Sequence, residues 1–370
     1  MALTVWAVDP GRVRRGQLVA LECAAVVRDA DVGTFVVTVP HDDLADRVGA
    51  VWRVVIQDGP VGILSGPIES ISPDLAAGTV TLEGASDLVH LADRLVYPNP
   101  SLPGDQQTSD AYYRRTGAAS NVLDGMFRNN AGIGAVPGRQ VPGLALPVAS
   151  GGNLGNTVST NLRYKNLLEE GRALARLGGV TFDAMQEGAQ IVVRFRVPVD
   201  RSRSVRFSDR NGGVTEGSYV LSAPTATAVL VAGQGEGAAR NIIERTRTSE
   251  WGRRVEVFKD QRDTDDADDL EQSATEQLDE GAAGAGASFT VVEAPGLVYG
   301  VDYRLGDIVS VDMGSVTVSE PVRSVELSWD GHGRDVALTL GDHDSADDRT
   351  PKWVSKIKKL DARVRGMEVR

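Results

Sequence analysis

The stretch Leu305–Gly341, LGDIVSVDMGSVTVSEPVRSVELSWDGHGRDVALTLG, decides the fold. Ile308, Val309 and Val311 lead into a turn at Met313-Gly314, after which Val316 and Val318 alternate with polar residues. Val322, Val325, Leu327 and Trp329 form a second apolar set that ends at Asp330-Gly331-His332-Gly333, and Val336, Leu338 and Leu340 form a third. Successive side chains of a strand point to opposite faces, so period-two apolar residues between glycine-bearing turns predict antiparallel strands with one buried face. The same cadence runs from Trp52 to Gly84, WRVVIQDGPVGILSGPIESISPDLAAGTVTLEG. Pro67-Ile68-Glu69-Ser70-Ile71 aligns with Pro321-Val322-Arg323-Ser324-Val325, and Gly78–Gly84 lies over Gly333–Gly341 with two residues inserted. Each proline stands near the start of a strand, where its missing N–H costs no ladder bond. One small β-barrel is therefore expected to occur twice; two unrelated meanders sharing turn chemistry are the simpler competing reading.

Around this repeat, 370 residues suggest two to three domains. A net charge of −12 argues against free nucleic acid or an anionic membrane surface as partner for the body of the chain. Cys23 is the single cysteine, which leaves no disulfide framework and no cysteine metal cluster. No apolar run approaches the length of a membrane span, and Met1 to Pro10 lacks the charged and apolar regions of a secretory signal, so a soluble, non-secreted chain is expected.

The expected fold class is mainly β with an α+β insertion: two similar small β-barrels flank a mixed module, and a short helix ends the chain. Residues 1–95 form the first barrel, with a buried strand from Leu18 to Val27, an alternating strand Thr34–Val39 stopped by Pro40, and a helical turn near His41–Ala45. Residues 96–214 form the module. Its helices are placed at 119–129 and 164–177, the latter ending at Gly178-Gly179. A long loop over 131–160 and a hairpin of 180–183 with 189–198 complete it. Residues 215–345 form the second barrel, with strands near 218–222, 226–232, 253–259 and 288–292. An acidic helix over 264–280 carries Ala267, Leu270, Ala274 and Leu278 as a narrow apolar stripe.

Residues 346–370 are a linker and an amphipathic helix, with Thr350 as N-cap and Pro351 at the first helical position. Trp353, Ile357, Leu360, Val364 and Met367 recur at spacings of 4, 3, 4 and 3, a coiled-coil seam too short to stand alone. It needs a partner helix. The segment also carries seven Lys/Arg, so a nucleic-acid tail and a frayed end stay open beside self-association.

Little in the sequence carries chemistry. Gly233-Gln234-Gly235-Glu236-Gly237-Ala238 satisfies a dinucleotide fingerprint, in which backbone N–H groups approach a pyrophosphate. No amphipathic helix follows it and Glu236 would face the phosphates, so a turn between strands is the better reading. Asp263–Asp269 could hold a hard cation but lacks calcium-loop spacing, and acidic residues in a first helical turn complement the helix dipole without any metal. Four histidines (His41, His90, His332 and His343) and one cysteine form no recognisable nucleophile context. No catalytic residue, cofactor or metal is expected, although two distant carboxylates could make a glycosidase that a sequence scan does not see.

Tyr303, Leu305-Gly306-Asp307, Ile308–Val311, Pro321–Trp329 and Val336–Gly341 together resemble the last β-domain of tail hub proteins from long-tailed phages. Gly33–Pro40 with Trp52–Gly66 is similar to the first β-domain of that family. Arg94, the helix near Val122 and the glycine turn before Arg240 are similar to minor tail proteins of siphophages infecting actinobacteria. The resemblance covers most of residues 15–345, on structural motifs only. It implies a non-enzymatic virion protein of the tail tip, assembled in the host cytoplasm. It further implies a homotrimer whose two barrels per chain make a pseudo-sixfold ring. That ring would join a sixfold distal tail or tail-tube protein ring to a threefold tip, with the tape measure protein and downstream tip or fibre proteins as neighbours. No membrane or sequence-specific nucleic acid is implied as a partner. A tail-associated protein that binds or hydrolyses cell-wall glycan is the alternative, and a contractile tail is as compatible as a siphophage one.

Overall fold

The computed structural model describes residues 3–341 except 43, 147–151, 209, 211–212, 263, 313, 315 and 332. The chain opens with β1 (Leu3–Val8), β2 (Arg14–Leu18), β3 (Glu22–Arg28) and β4 (Asp31–Pro40). Three more strands follow: β5 (Arg53–Asp58), β6 (Val61–Asp74) and β7 (Thr79–Ala85). The expected strand 18–27 is thus two: Leu18 closes β2, and the chain turns before Glu22. The one-turn helix α1 (Val89–Ala92) leads into β8 (Tyr113–Ala118), α2 (Ala119–Asn130), β9 (Leu144–Ala145) and β10 (Thr157–Leu162). Then come α3 (Leu167–Gly178), β11 (Thr181–Glu187) and β12 (Gln190–Arg196). The last part holds β13 (Arg206–Ser208), β14 (Val214–Ser222), β15 (Ala228–Ala232), β16 (Ile242–Thr246) and β17 (Glu256–Asp260). It ends with α4 (Ala267–Glu280), β18 (Gly284–Val291), β19 (Ile308–Asp312), β20 (Thr317–Asp330) and β21 (Gly333–Gly341). The fold is mainly β.

The repeat read in the sequence is a repeat in space. In the first copy the 14-residue strand β6 pairs with β5 up to Pro67 and then with β7 from Ile68 onward. In the second, the 14-residue strand β20 pairs with β19 up to Pro321 and then with β21 from Val322 onward. Both carry a bulge two residues past the proline, at Glu69 between Ile68 and Ser70 and at Arg323 between Val322 and Ser324. A bulge sharpens the local twist, which lets one long strand leave one pairing and enter another. One detail differs from the sequence alignment. Ile68 pairs with Gly84, whereas Val322 pairs with Leu340, so Gly84 corresponds to Leu340 rather than to Gly341. The two extra residues lengthen the second hairpin.

The two copies share one sheet. Its order runs β14-β18-β21-β20-β3-β4-β7-β6-β5-β1-β2, with β13 on β19 and β19 on β20. A single hydrophobic core spans both halves, from Phe35, Val37, Leu64 and Leu82 to Phe207, Phe289, Leu327 and Leu338. Burying each such side chain stabilises by roughly 1.5–3 kcal/mol.

The module has its own core. Helices α2 and α3 pack Leu123, Met126, Phe127, Leu168 and Leu174 against Phe182 and Ile191 of the β11–β12 hairpin. Asn166 caps α3 by accepting from the N–H groups of Leu168 and Glu169, and Gly179 ends it at φ 67°, a left-handed position that costs glycine nothing. The long loop expected over 131–160 is shorter than that, because β10 pairs with β8 and β9 with β12. A third, small core lies under α4, where Leu270, Ala274 and Leu278 meet Val229 and Val231 of β15. Ala267, expected in that stripe, is exposed; the helix begins there, and its first turn is solvated.

Candidate assembly surface

The two copies meet through β3 and β20, antiparallel, from Ser324 opposite Arg28 to Trp329 opposite Cys23. On the core side Val325 faces Val27, Leu327 faces Ala25 and Trp329 faces Cys23, and all six are buried. Burial in this joint accounts for Cys23, whose thiol is pushed up to about 12 by desolvation, far from the reactive range. The bulge residue Arg323 bolts one end. Its carbonyl accepts from the Asp29 N–H at 2.9 Å, its guanidinium donates to the Asp29 carboxylate at 2.7 Å, and Thr181 donates to the other Asp29 oxygen. Nothing in the sequence singled out Arg323, because a bulge is a property of pairing between strands.

A second set of charges fixes the module to the first copy. Arg53 is held by Asp87, by Gln186 Oε1 at 3.1 Å and by His90 Nε2 at 3.3 Å. Ser65 donates to the other Asp87 oxygen at 2.5 Å and accepts from the Gln186 N–H at 2.7 Å. His90 is therefore part of a buried network, and burial, aided by Arg53, depresses its pKa against the opposing pull of Asp87. Its folded pKa lies below the unfolded value of about 6.5. The neutral ring thus contributes stability that is present above about pH 6.5 and is lost as pH falls through the folded pKa. His90→Asn is expected to flatten that acid-side loss in urea midpoints measured between about pH 7 and 5; an unchanged wild-type-minus-variant difference across this range would refute it.

Asp307 does the same for the second copy. It accepts from Arg196 at 2.8 Å, Arg201 at 3.2 Å and the N–H groups of Val199 and Arg304 at 3.0 and 3.1 Å. The Leu305-Gly306-Asp307 motif is thus a clamp on the segment that leaves the module. Pro60–Gly62, the β11–β12 hairpin and Tyr299–Leu305 enclose a cleft of about 440 Å³, lined by Phe182, Phe195, Asp183, Arg194 and Arg196.

The glycine motif is a turn. Arg240 donates to the Gly233 and Ala232 carbonyls at 2.8 and 2.7 Å. The N–H groups of Gly233 and Gln234 are spent on the Asn241 and Thr264 carbonyls at 2.9 Å each, which leaves neither for a phosphate. Only a three-residue helical turn at Gly237–Ala239 follows. In the acidic run, Asp266 caps α4 by accepting from the Asp268 N–H, and Thr264 donates to Asp269 at 3.1 Å. Among the described residues no group of His, Cys, Asp and Glu could hold a metal ion, and no helix is long and apolar enough to cross a membrane. His332, His343 and the seam Trp353, Ile357, Leu360, Val364 and Met367 lie outside the described residues.

The profile of the Siphovirus ReqiPepy6 Gp37-like protein family matches residues 2–342. No curated protein matches the sequence. Among solved structures, the chain is similar to the prophage MuSo2 43 kDa tail protein from Shewanella oneidensis (TM-score 0.59, 13% identity, covering 91% of this chain and 97% of that one). It is similar to a tail protein from Neisseria meningitidis MC58 (TM-score 0.56, 13% identity, 93% and 97%). Prophage tail protein gp18 from Listeria monocytogenes EGD-e is also similar (TM-score 0.56, 11% identity, 93% and 96%). At these identities the likeness establishes the fold.

Proposed function

Because the chain belongs to the Siphovirus ReqiPepy6 Gp37-like family of phage tail proteins, we propose that it is a non-enzymatic structural hub of the virion tail tip. Three copies form a pseudo-sixfold ring between a sixfold tail tube or distal tail ring and a threefold tip. The observation that carries this reading is the repeat itself: two units with the same proline pivot and bulge, joined head to tail through β3 and β20 within one chain. A head-to-tail joint that recurs between chains builds a ring if the rotation closes. With two units per chain, the number of units is even, and three chains supply six. Residues 1–95 and 215–345 supply the barrels and 96–214 the module. From their spacing alone, Trp353, Ile357, Leu360, Val364 and Met367 are proposed as contacts about the threefold axis. The tape measure protein and downstream tip or fibre proteins are the proposed neighbours.

Native mass spectrometry with electron microscopy of the purified chain tests this. A threefold ring with six similar lobes is expected. A monomer that hydrolyses or binds cell-wall glycan would instead favour a tail-associated glycan protein.

A further inference from the structure

A strip of arginines and tyrosines runs along one side of the module. On the β8–β10 ribbon Arg114 stands opposite Asn161 and donates to its side chain at 3.2 Å. Arg114 also lies over the Tyr112 ring, 5.7 Å from its centre. One step beyond the Leu162–Tyr113 pair the chain reaches Arg163, which lies over Tyr164 at 5.4 Å. Tyr164 meets Tyr97 edge-on at 5.7 Å, and Arg139 covers Tyr97 at 3.5 Å. Arg94 then donates to the Arg139 carbonyl at 3.0 Å. Arginine and tyrosine thus alternate along one path from Arg114 to Arg94.

Charge sets this path apart. Among the described residues none of Arg94, Arg114, Arg139 and Arg163 is ion-paired to a carboxylate; their guanidinium groups rest on rings, carbonyls and an amide. Elsewhere Arg128, Arg172, Arg194, Arg245 and Arg254 each hold an acid. Of the acids nearby in sequence, Asp110 is engaged by Asn99 and Ser109, and Asp93 offers Arg94 its carbonyl. Arg114, Arg163 and the adjoining Lys165 are exposed. The net charge of −12 is a sum over the whole chain and does not describe this side of the module.

We propose that the strip binds an anionic phosphodiester polymer without bases, such as a polyol phosphate. A guanidinium fork matches phosphate oxygens in pairs, and one already seated on a ring loses less freedom when it binds. Cations spaced along a path suit a chain of repeating phosphates better than a single small anion. Single-stranded nucleic acid also carries phosphates, but it draws much of its affinity from bases stacked on aromatic rings. Here arginines already lie over Tyr97, Tyr112 and Tyr164, which favours phosphate contacts over base stacking. The strip lies within one chain, so binding does not require the ring.

Fluorescence anisotropy of the full chain with end-labelled poly(glycerol phosphate) tests this. Binding is expected at 50 mM salt and should weaken about fiftyfold by 200 mM, from a slope of about −0.7 for each phosphate that the four arginines neutralise. Arg114→Gln combined with Arg163→Gln should weaken it about tenfold with an unchanged melting temperature, since both side chains are exposed. Arg245→Gln, at an exposed arginine paired with Glu271, should bind as the wild type does. No binding by the wild type at 50 mM salt, or full affinity in the double variant, would overturn the site. Equal losses in the double variant and Arg245→Gln would overturn it too. If an oligo-dT of equal charge binds as tightly as the polyol phosphate, the choice of a polymer without bases is wrong.

Discussion

Replacing Asp87 with alanine is expected to cost about 3–5 kcal/mol of folding stability, read as a lower urea midpoint at pH 7.5 with an unchanged slope. The side chains of Asp87 and Arg53 are 0% and 6% exposed, so removal of the carboxylate leaves a guanidinium buried with only Gln186 Oε1 and the neutral His90 ring as acceptors. Ser65 loses its acceptor as well. Asp87→Asn keeps the shape and a carbonyl, and should fall between alanine and wild type. Replacing both charges, with Arg53→Met and Asp87→Leu, should recover most of the loss, because the pair's attraction is largely offset by the desolvation of two ions. A double variant as unstable as Asp87→Ala would mean that the network itself, and not the orphaned charge, holds the module to the barrel.

The second large effect sits where the two copies differ. Phe35 pairs with Gly84 in the first, and Ala287 pairs with Leu340 in the second. Each copy fills the same space, once from β4 and once from β21. Phe35→Ala should cost about 3–5 kcal/mol, since the ring is fully buried and its loss leaves a cavity in the core. Gly84→Ala should cost about 1–3 kcal/mol or more, because a Cβ there runs into the Phe35 ring and the Pro67 carbonyl. Combining Phe35→Ala with Gly84→Leu places the large side chain on the strand that carries it in the second copy and removes the ring from the clash, leaving the contact with the Pro67 carbonyl. The double variant should be less destabilised than the sum of Phe35→Ala and Gly84→Leu by at least about 1 kcal/mol. Additive losses would show that the two copies are packed by unrelated solutions and only share a topology.

How far the sequence carried can be judged from individual residues. Val325, Leu327 and Trp329 announced their strand because a strand repeats every two residues. Pro67 and Pro321, expected near strand starts, instead stand inside β6 and β20, where each long strand changes its ladder partner. The helix expected over 164–177 is α3, with its stop at Gly178-Gly179 legible from the glycines. Its start, three residues later than expected, is set by the Asn166 cap, which the sequence reading did not single out. The weak strands were lost. Arg14–Leu18, Thr157–Leu162 and Ile242–Thr246 carry no clean alternation, and they are strands only because a neighbour offers them a ladder.

The assembly surface divides along the same line. The sequence by itself determined that one β-unit is used twice and where its turns lie, since periodicity and turn chemistry are local and leave their mark on consecutive residues. Only the tertiary structure decided that β3 lies beside β20, that Arg323 meets Asp29 across that seam, and that, among the described residues, β14 and the far half of β6 have a strand on one side alone. Which strands become neighbours depends on the packing of residues hundreds of positions apart, and an alternating strand reads the same whether it lies in the middle of a sheet or at its edge.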